Sequence, residues 1–240
     1  MKVVTRFAPS PTGYLHIGGV RTALFNYIFA KKNNGTFLVR IEDTDKERSK
    51  AEYIDAIMDG LDWIKLNPDK KPIKQSDRFE VYQQEANRLI EEGKAYEDDG
   101  AVRLKINKEG STKVQDLVYG DIEFLNKELD DLVILRSDKS PTYHFCNVID
   151  DNYQEVTHII RGEDHLPNTP KQIQIVSALG YKGFKYVHLP LVLGEDRKRL
   201  SKRHAATDLM AYKEAGYLPD ALLNMLAKLG WSNTTEDIFT

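Results

Sequence analysis

Cysteine is almost missing from this 240-residue chain. Cys146 stands alone, so no disulfide can close within the chain and no multi-cysteine zinc site can be built. Long apolar runs are missing as well: no stretch approaches the ~20 residues that a membrane-spanning helix needs. The opening Met1-Lys2-Val3-Val4-Thr5-Arg6 lacks the apolar region of a secretory signal. A reducing cytoplasmic location with no membrane partner is the expectation. No charge sign dominates, because 34 lysines and arginines face 37 aspartates and glutamates for a net charge of −3. The global basicity of many nucleic-acid binders is therefore absent, and any RNA contact must rest on local groups. The chain also lacks a Gly-rich dinucleotide fingerprint, a P-loop, a paired-histidine zinc motif, internal repeats and low-complexity segments.

The length allows one large domain with an insertion, or two domains. Val3 to Ala8 reads as a strand broken by Pro9-Ser10-Pro11-Thr12-Gly13. A helix follows from about Gly19, with Val20, Ala23, Leu24, Tyr27 and Ile28 at helical spacing and Gly35 as its stop. Thr36 to Ile41 reads as a second strand, leaving through Glu42-Asp43-Thr44-Asp45. Ser49-Lys50-Ala51-Glu52 has the form of a capping box for the next helix, and another helix is predicted from about Ser76 to Glu92. From Ala101 to about Arg136 the pattern turns to antiparallel strands, 102–106 and 132–135 among them. Alternation then resumes with a strand at Val156 to Arg161, a helix at Thr169 to Leu179, a strand at Tyr186 to Leu193 and a helix from Pro219 to about Leu229. The predicted class is α/β: a Rossmann-like parallel sheet with helices on both faces, interrupted by a smaller α+β insertion, with a nucleotide site at the carboxyl edge of the strands. The expected segments are 1–96 and 141–200 for the two halves of the sheet domain, 97–140 for the insertion and 201–240 for a basic loop and helical region.

Two motifs carry chemistry. His16-Ile17-Gly18-Gly19 falls where a strand gives way to a helix, where backbone N–H groups and the helix dipole favour an anion. On their own, four such letters favour a capping turn with a polar histidine. Far downstream, Lys198-Arg199-Leu200-Ser201-Lys202-Arg203 puts cations and a hydroxyl on a short polar stretch, where Lys202 could neutralise charge building on phosphates. Arg199 preserves charge but is bulkier than a lysine there and ranks below Lys202. The pair, in this order, resembles the signatures of class I aminoacyl-tRNA synthetases, and the wording around both is similar to bacterial glutamyl-tRNA synthetases.

That resemblance implies a catalytic fragment lacking an anticodon-binding domain. It would activate L-glutamate with ATP and transfer it to the 3′ end of tRNA(Glu). It assigns ATP contacts to His16, Gly18, Gly19, Ser201, Lys202 and Asp164, with His16, Lys202 and Arg199 in catalytic roles. Arg6 and Arg161 would hold the substrate's side-chain carboxylate, Glu42 and Ser10 its ammonium, and Tyr143 and Asn147 would wall the pocket. Bidentate guanidinium groups would reject glutamine, whose amide presents donors to donors. ATP is the cosubstrate, magnesium is expected to arrive with it rather than on protein ligands, and no zinc is expected. The chain is expected to act as a monomer on glutamate, ATP and the tRNA acceptor end, the last through the insertion, where Lys105, Lys108 and Lys113 lie. The resemblance also implies that tens of residues are missing between Tyr96 and Ala101, with Glu97-Asp98-Asp99-Gly100 as a polar linker closing the gap. A glutamyl-queuosine tRNA(Asp) synthetase and a noncatalytic tRNA-binding paralogue are the alternatives, with a glutaminyl-tRNA synthetase disfavoured by His16-Ile17-Gly18-Gly19 and Arg161.

Overall fold

The computed structural model describes residues 2–192, 208–230 and 238. Its elements in chain order are β1 (Val4–Phe7), α1 (Ile17–Lys32), β2 (Thr36–Ile41), α2 (Ala51–Trp63), β3 (Ile73–Lys74), α3 (Phe79–Glu91), β4 (Ala95–Asp98) and β5 (Ala101–Leu104). They continue with β6 (Ser111–Asp116), β7 (Gly120–Leu125), β8 (Leu132–Leu135), α4 (Tyr143–Tyr153), β9 (His158–Gly162), α5 (Thr169–Leu179), β10 (Lys185–Leu189), α6 (Leu209–Glu214) and α7 (Pro219–Lys228). The architecture is mixed α/β, with ladders in the orders β1-β2-β3, β7-β6-β10-β9 and β4-β5-β8. The chain divides into two compact units: 2–73 with 160–163 and the described residues from 189 on, and 74–159 with 164–188.

In the first unit β1 and β2 run parallel, Val4 opposite Thr36 and Phe7 opposite Val39. Side chains alternate across a strand, so Phe7, Phe37, Val39 and Ile41 join α1, α2 and α7 in one apolar core, leaving Arg6, Leu38 and Arg40 for the other face. Helix α1 ends at Asn33 and Asn34, the latter at φ 50°. Gly35 takes part in the stop as expected, its N–H bonding the Ala30 carbonyl at 2.8 Å, and it also leaves room for the neighbouring strand, because a Cβ there would lie 2.3 Å from the Val3 carbonyl oxygen. The capping box at Ser49 does not form. Lys50 takes the cap position of α2 without a side-chain bond, the Ser49 and Lys50 N–H groups bond to the Asp45 and Pro11 carbonyls, and the Ser49 hydroxyl has no partner. The preceding loop has claimed the backbone that the box would use.

The second unit packs α3, α4 and α5 against the β4-β5-β8 ladder through Tyr82, Leu89, Val102, Ile134, Phe145 and Ile175. Residues 75–78 form a 3-10 turn and the α-helix begins at Phe79, three residues later than predicted. The fully buried Asp150 of α4, a helix the sequence pattern did not announce, accepts hydrogen bonds from Gln75 (2.9 Å), Arg78 (2.7 Å) and Tyr82 (2.7 Å). Burial and the neighbouring Asp150 charge both raise the Tyr82 pKa, so this phenol donates at every physiological pH. Glu97-Asp98-Asp99-Gly100 is a hairpin rather than a linker. Glu97 and Asp98 pair with Val102 and Ala101, and Asp99 (φ 48°) and Gly100 (φ 77°) make the two positive-φ turn residues that a two-residue hairpin favours.

The β6–β7 hairpin is tied to β10 by one parallel pair, Asp116 with Tyr186. Asp116, nearly buried, accepts from the backbone N–H groups of Val118, Tyr119 and His188 and lies 2.6 Å from His188 Nδ1. The other His188 ring nitrogen meets the Thr169 hydroxyl at 3.2 Å. Burial works against ionising Asp116, but the Tyr119 N–H, the His188 ring and the Val118 N–H outweigh it and hold its pKa below the usual carboxylate value. Such a group adds stability above about pH 4, and that stability is lost as the pH falls through the depressed value. Asp116→Ala is therefore expected to cost about 3 kcal/mol in urea unfolding at pH 7, because several buried donors lose their acceptor. The variant should also lose part of the acid-side decline of the wild type, and equal urea midpoints for the two proteins would contradict this.

Candidate active site

The start of α1 is built by its own motif. His16, extended at φ −86° and ψ 155°, caps the helix, its Nδ1 accepting the Gly19 N–H at 3.1 Å. In the neutral ring an accepting Nδ1 leaves the proton on Nε2, so the exposed imidazole presents a donor on its outer edge. A Cβ on Gly18 would lie 3.1 Å from that ring, and one on Gly19 would lie 3.0 Å from Leu15 Cδ1. The glycines thus keep the histidine in place as well as leaving the helix start bare. Of the two readings the sequence offered for these residues, the capping turn is the one the structure displays.

The strand face away from α1 carries charge. Arg6 is 4% exposed, Arg40 0% and Glu42 7%, and Arg40 Nη2 meets Glu42 Oε1 at 3.2 Å. Burying these groups is costly unless they are paired and held. The Glu42 N–H bonds the Pro9 carbonyl at 3.0 Å, and exposed Ser10 is the residue that follows Pro9. A buried cation and a buried carboxylate thus meet at the end of β2. Arg161, 6% exposed, sits near the end of β9. Its neighbour Ile160 offers its carbonyl to Asn26 Nδ2 at 2.9 Å, and the Thr5 hydroxyl donates to the Asn26 carbonyl at 2.8 Å. Asn26, fully buried in α1, so links the strand of Arg6 to that of Arg161.

Tyr143, Asn147 and Asp164 belong to the second unit. Tyr143 and the buried Asn147 lie on the first turns of α4, and the Tyr143 hydroxyl meets His165 Nδ1 at 3.2 Å. Asp164 is exposed at the 3-10 turn of 163–168. Arg199, Ser201 and Lys202 lie outside the described residues. The described chain resumes at Asp208, which makes an antiparallel bridge to His16, and the Leu209 N–H bonds the Leu15 carbonyl at 2.8 Å. Of the lysines expected to meet RNA, Lys105 and Lys108 donate to the Gly93 and Leu129 carbonyls, while Lys113 is exposed on β6. Among the described residues no group of three or more His, Cys, Asp or Glu is placed to hold a metal ion, and no helix is long and apolar enough to cross a membrane.

The family model for class I tRNA synthetases (E and Q), catalytic domain, matches residues 2–101 and 97–240. This chain belongs to that family. It is 50% identical to a glutamate–tRNA ligase of Thermodesulfovibrio yellowstonii and 47% identical to one of Syntrophotalea carbinolica, covering 99% and 100% of this chain. A crystal structure of a glutamate tRNA ligase from Elizabethkingia meningosepticum, in complex with its amino acid, superposes with a TM-score of 0.90 at 31% identity over the whole chain. This chain spans 59% of the length of those two curated relatives and 63% of that crystallised chain. The Thermodesulfovibrio alignment runs over 274 positions against 240 residues, so at least 34 positions have no counterpart here. The family match also breaks at 97–101, where the synthetase fold is closed by the Asp99-Gly100 hairpin.

Two buried residues beside these positions, Arg40 and Asn26, drew no notice in the sequence. An arginine inside the otherwise apolar Thr36–Ile41 run was the available signal for the first. The second gave none, because its importance lies in a contact 134 residues away. The capping role of His16 is separable from its chemistry. His16→Ala should lower stability by about 1 kcal/mol, whereas His16→Asn, a good cap residue, should stay within a few tenths of the wild type in urea unfolding. Equal losses in both variants would show that the cap bond contributes nothing.

Proposed function

We propose that this chain activates L-glutamate with ATP and passes it to the 3′-terminal adenosine of tRNA(Glu), as a monomeric cytoplasmic catalytic fragment. The observation that carries this reading is the buried charged face at the ends of β1 and β2, Arg6 with Arg40 and Glu42, next in sequence to a helix start capped by His16. The names of the relatives support the same reading. In it, 1–96 and 141–200 form the two halves of the catalytic domain, 97–140 is a shortened acceptor-binding insertion, and 201–240 begins the stem-contacting region.

In the first step an α-carboxylate oxygen of glutamate attacks the α-phosphorus of ATP. The bond to the bridging oxygen breaks, and pyrophosphate leaves with that electron pair. His16 Nε2–H and the bare N–H groups at the start of α1 hold phosphate oxygens, with Gly18 and Gly19 allowing the adenosine to approach. Lys202 and Ser201, assisted by Arg199, stabilise the leaving pyrophosphate, and Asp164 contacts the nucleotide. Magnesium travels with ATP as part of the substrate. Arg6 and Arg161 bind the side-chain carboxylate, Glu42 and Ser10 orient the ammonium, and Tyr143 and Asn147 complete the pocket. In the second step the tRNA 2′-hydroxyl attacks the activated carbonyl, AMP leaves with the bonding pair, and the hydroxyl proton is released. No protein nucleophile is needed, so rate comes from alignment and fixed charge. Of the three lysines of the insertion, Lys113 is the best placed for the acceptor strand, since Lys105 and Lys108 already serve backbone carbonyls.

Exchange of labelled pyrophosphate into ATP, dependent on glutamate and assayed with and without tRNA, tests the reading. Exchange with glutamate but not glutamine is expected, and silence with every tRNA would overturn it. Within an active protein, Arg161→Ala should raise the KM for glutamate by about 100-fold with a smaller change in kcat, as loss of a charge-assisted pair predicts. Lys202→Ala should lower kcat by about 100-fold with the glutamate KM little changed. The reverse pattern would reject this division of roles.

A further inference from the structure

One amide of the first unit is gripped from both ends by charged side chains. Arg21 Nη1 donates to the Pro190 carbonyl at 2.6 Å, and the Leu191 N–H donates to Glu163 Oε1 at 3.0 Å. The carbonyl and the N–H belong to the same peptide bond, so a guanidinium and a carboxylate fix its plane from opposite sides. We infer that Arg21 and Glu163 are positioning residues for the activation step, holding the Pro190–Leu191 peptide from which the segment bearing Lys202 departs; this rests on the function proposed above.

Strand β10 ends at Leu189, and Pro190 has no N–H to offer a ladder. The clamp begins where sheet hydrogen bonding stops. Arg21 is itself held firmly. It is 4% exposed, its Nη2 donates to the Leu229 carbonyl just past the end of α7 at 3.3 Å, and its guanidinium lies 5.4 Å from the Phe25 ring centre. The α7 terminus favours a cation there. A Cβ on Gly230 would come within 2.8 Å of that Nη2, so the glycine leaves room for the arginine. Glu163 is half-buried and directly precedes Asp164.

Arg21 is the fifth residue of α1, whose first turn His16 caps. Lys202 stands eleven residues after Leu191 and six before Asp208, and Asp208 bridges to His16 while Leu209 bonds Leu15. The first turns of one helix therefore hold the chain on both sides of the segment that carries the basic motif. A charged grip on a single amide is a strong device for setting the direction in which that segment leaves. Charge-assisted bonds are shorter and stronger than neutral ones, and a misplacement of about 1 Å can cost about 100-fold in rate.

The test uses Glu163, whose half-buried position lets its variants fold, in the whole chain. In Glu163→Ala the Leu191 amide should exchange its hydrogen at least about tenfold faster, as expected for a lost protecting bond. The kcat of pyrophosphate exchange should fall about tenfold or more with the glutamate KM within about twofold. Glu163→Gln keeps an acceptor oxygen and should recover most of both. Arg21→Lys, which keeps the charge but loses the fork, should give the same kcat-only loss. A wild-type level of kcat in Glu163→Ala, an equal loss in Glu163→Gln, or a rise in glutamate KM would overturn the positioning role. A wild type silent in pyrophosphate exchange would instead defeat the proposed function, and the positioning role with it, while Leu191 exchange in Glu163→Ala would still report whether the clamp exists.

Discussion

The amide group of Asn26 is the constraint on which the first unit depends. Buried in the middle of α1, it donates to the Ile160 carbonyl and to Thr22 one turn earlier, while its own backbone carbonyl receives the Thr5 hydroxyl. A helix is free to slide and rotate over a parallel sheet until polar contacts of this kind fix it, because apolar packing is non-directional. Once α1 is fixed to the strands of Arg6 and Arg161, its first turn has a set position relative to the strand ends. His16, Gly18 and Gly19 then lie at the carboxyl edge of β1, the usual place for a ligand in an open α/β sheet.

Among the described residues, charge is buried where something holds it, and that pattern separates positioning groups from surface ones. Arg40 meets Glu42, Arg78 and two neutral donors surround Asp150, and Asp116 gathers backbone N–H groups with His188. The two hubs of the second unit join helices and the β6–β7 hairpin to the rest of that unit. In the first unit Arg6, Arg40, Glu42 and Arg161 lie on or just past strands and Arg21 lies on α1. Such groups add less to stability than apolar residues of the same volume could, but they specify one arrangement, because any slip leaves a buried charge without its partner.

Much of this was legible in the sequence because the signals were local. Helix α5 was placed to the residue, being set off by Pro170 at its start and by Gly180 in the left-handed conformation at its end. Strand β2 was equally clear as a mostly apolar, β-rich run ending in acids. Helix α4 was not legible, since it buries Asn147, Asp150 and Asp151 along with its apolar residues and so lacks an apolar stripe. Arg21, Asn26 and Arg40 drew no notice in the sequence for a related reason. Each looks like an ordinary polar residue until register and long-range contacts are known, and the partner of Arg21 lies 169 residues away. The motif histidine was found at once, but the bond that orients its ring appears only when Gly19 is placed three residues into the turn.

The account stands on a capped His16 that presents Nε2–H to a triphosphate at the start of α1. Nitrogen-detected NMR of histidine-labelled protein, with and without magnesium ATP, tests this most directly. The predicted result is an Nε2-protonated His16 ring in the apo state whose Nε2 resonance moves on adding nucleotide. An Nδ1-protonated ring, or a His16 signal unchanged at saturating ATP, would contradict it.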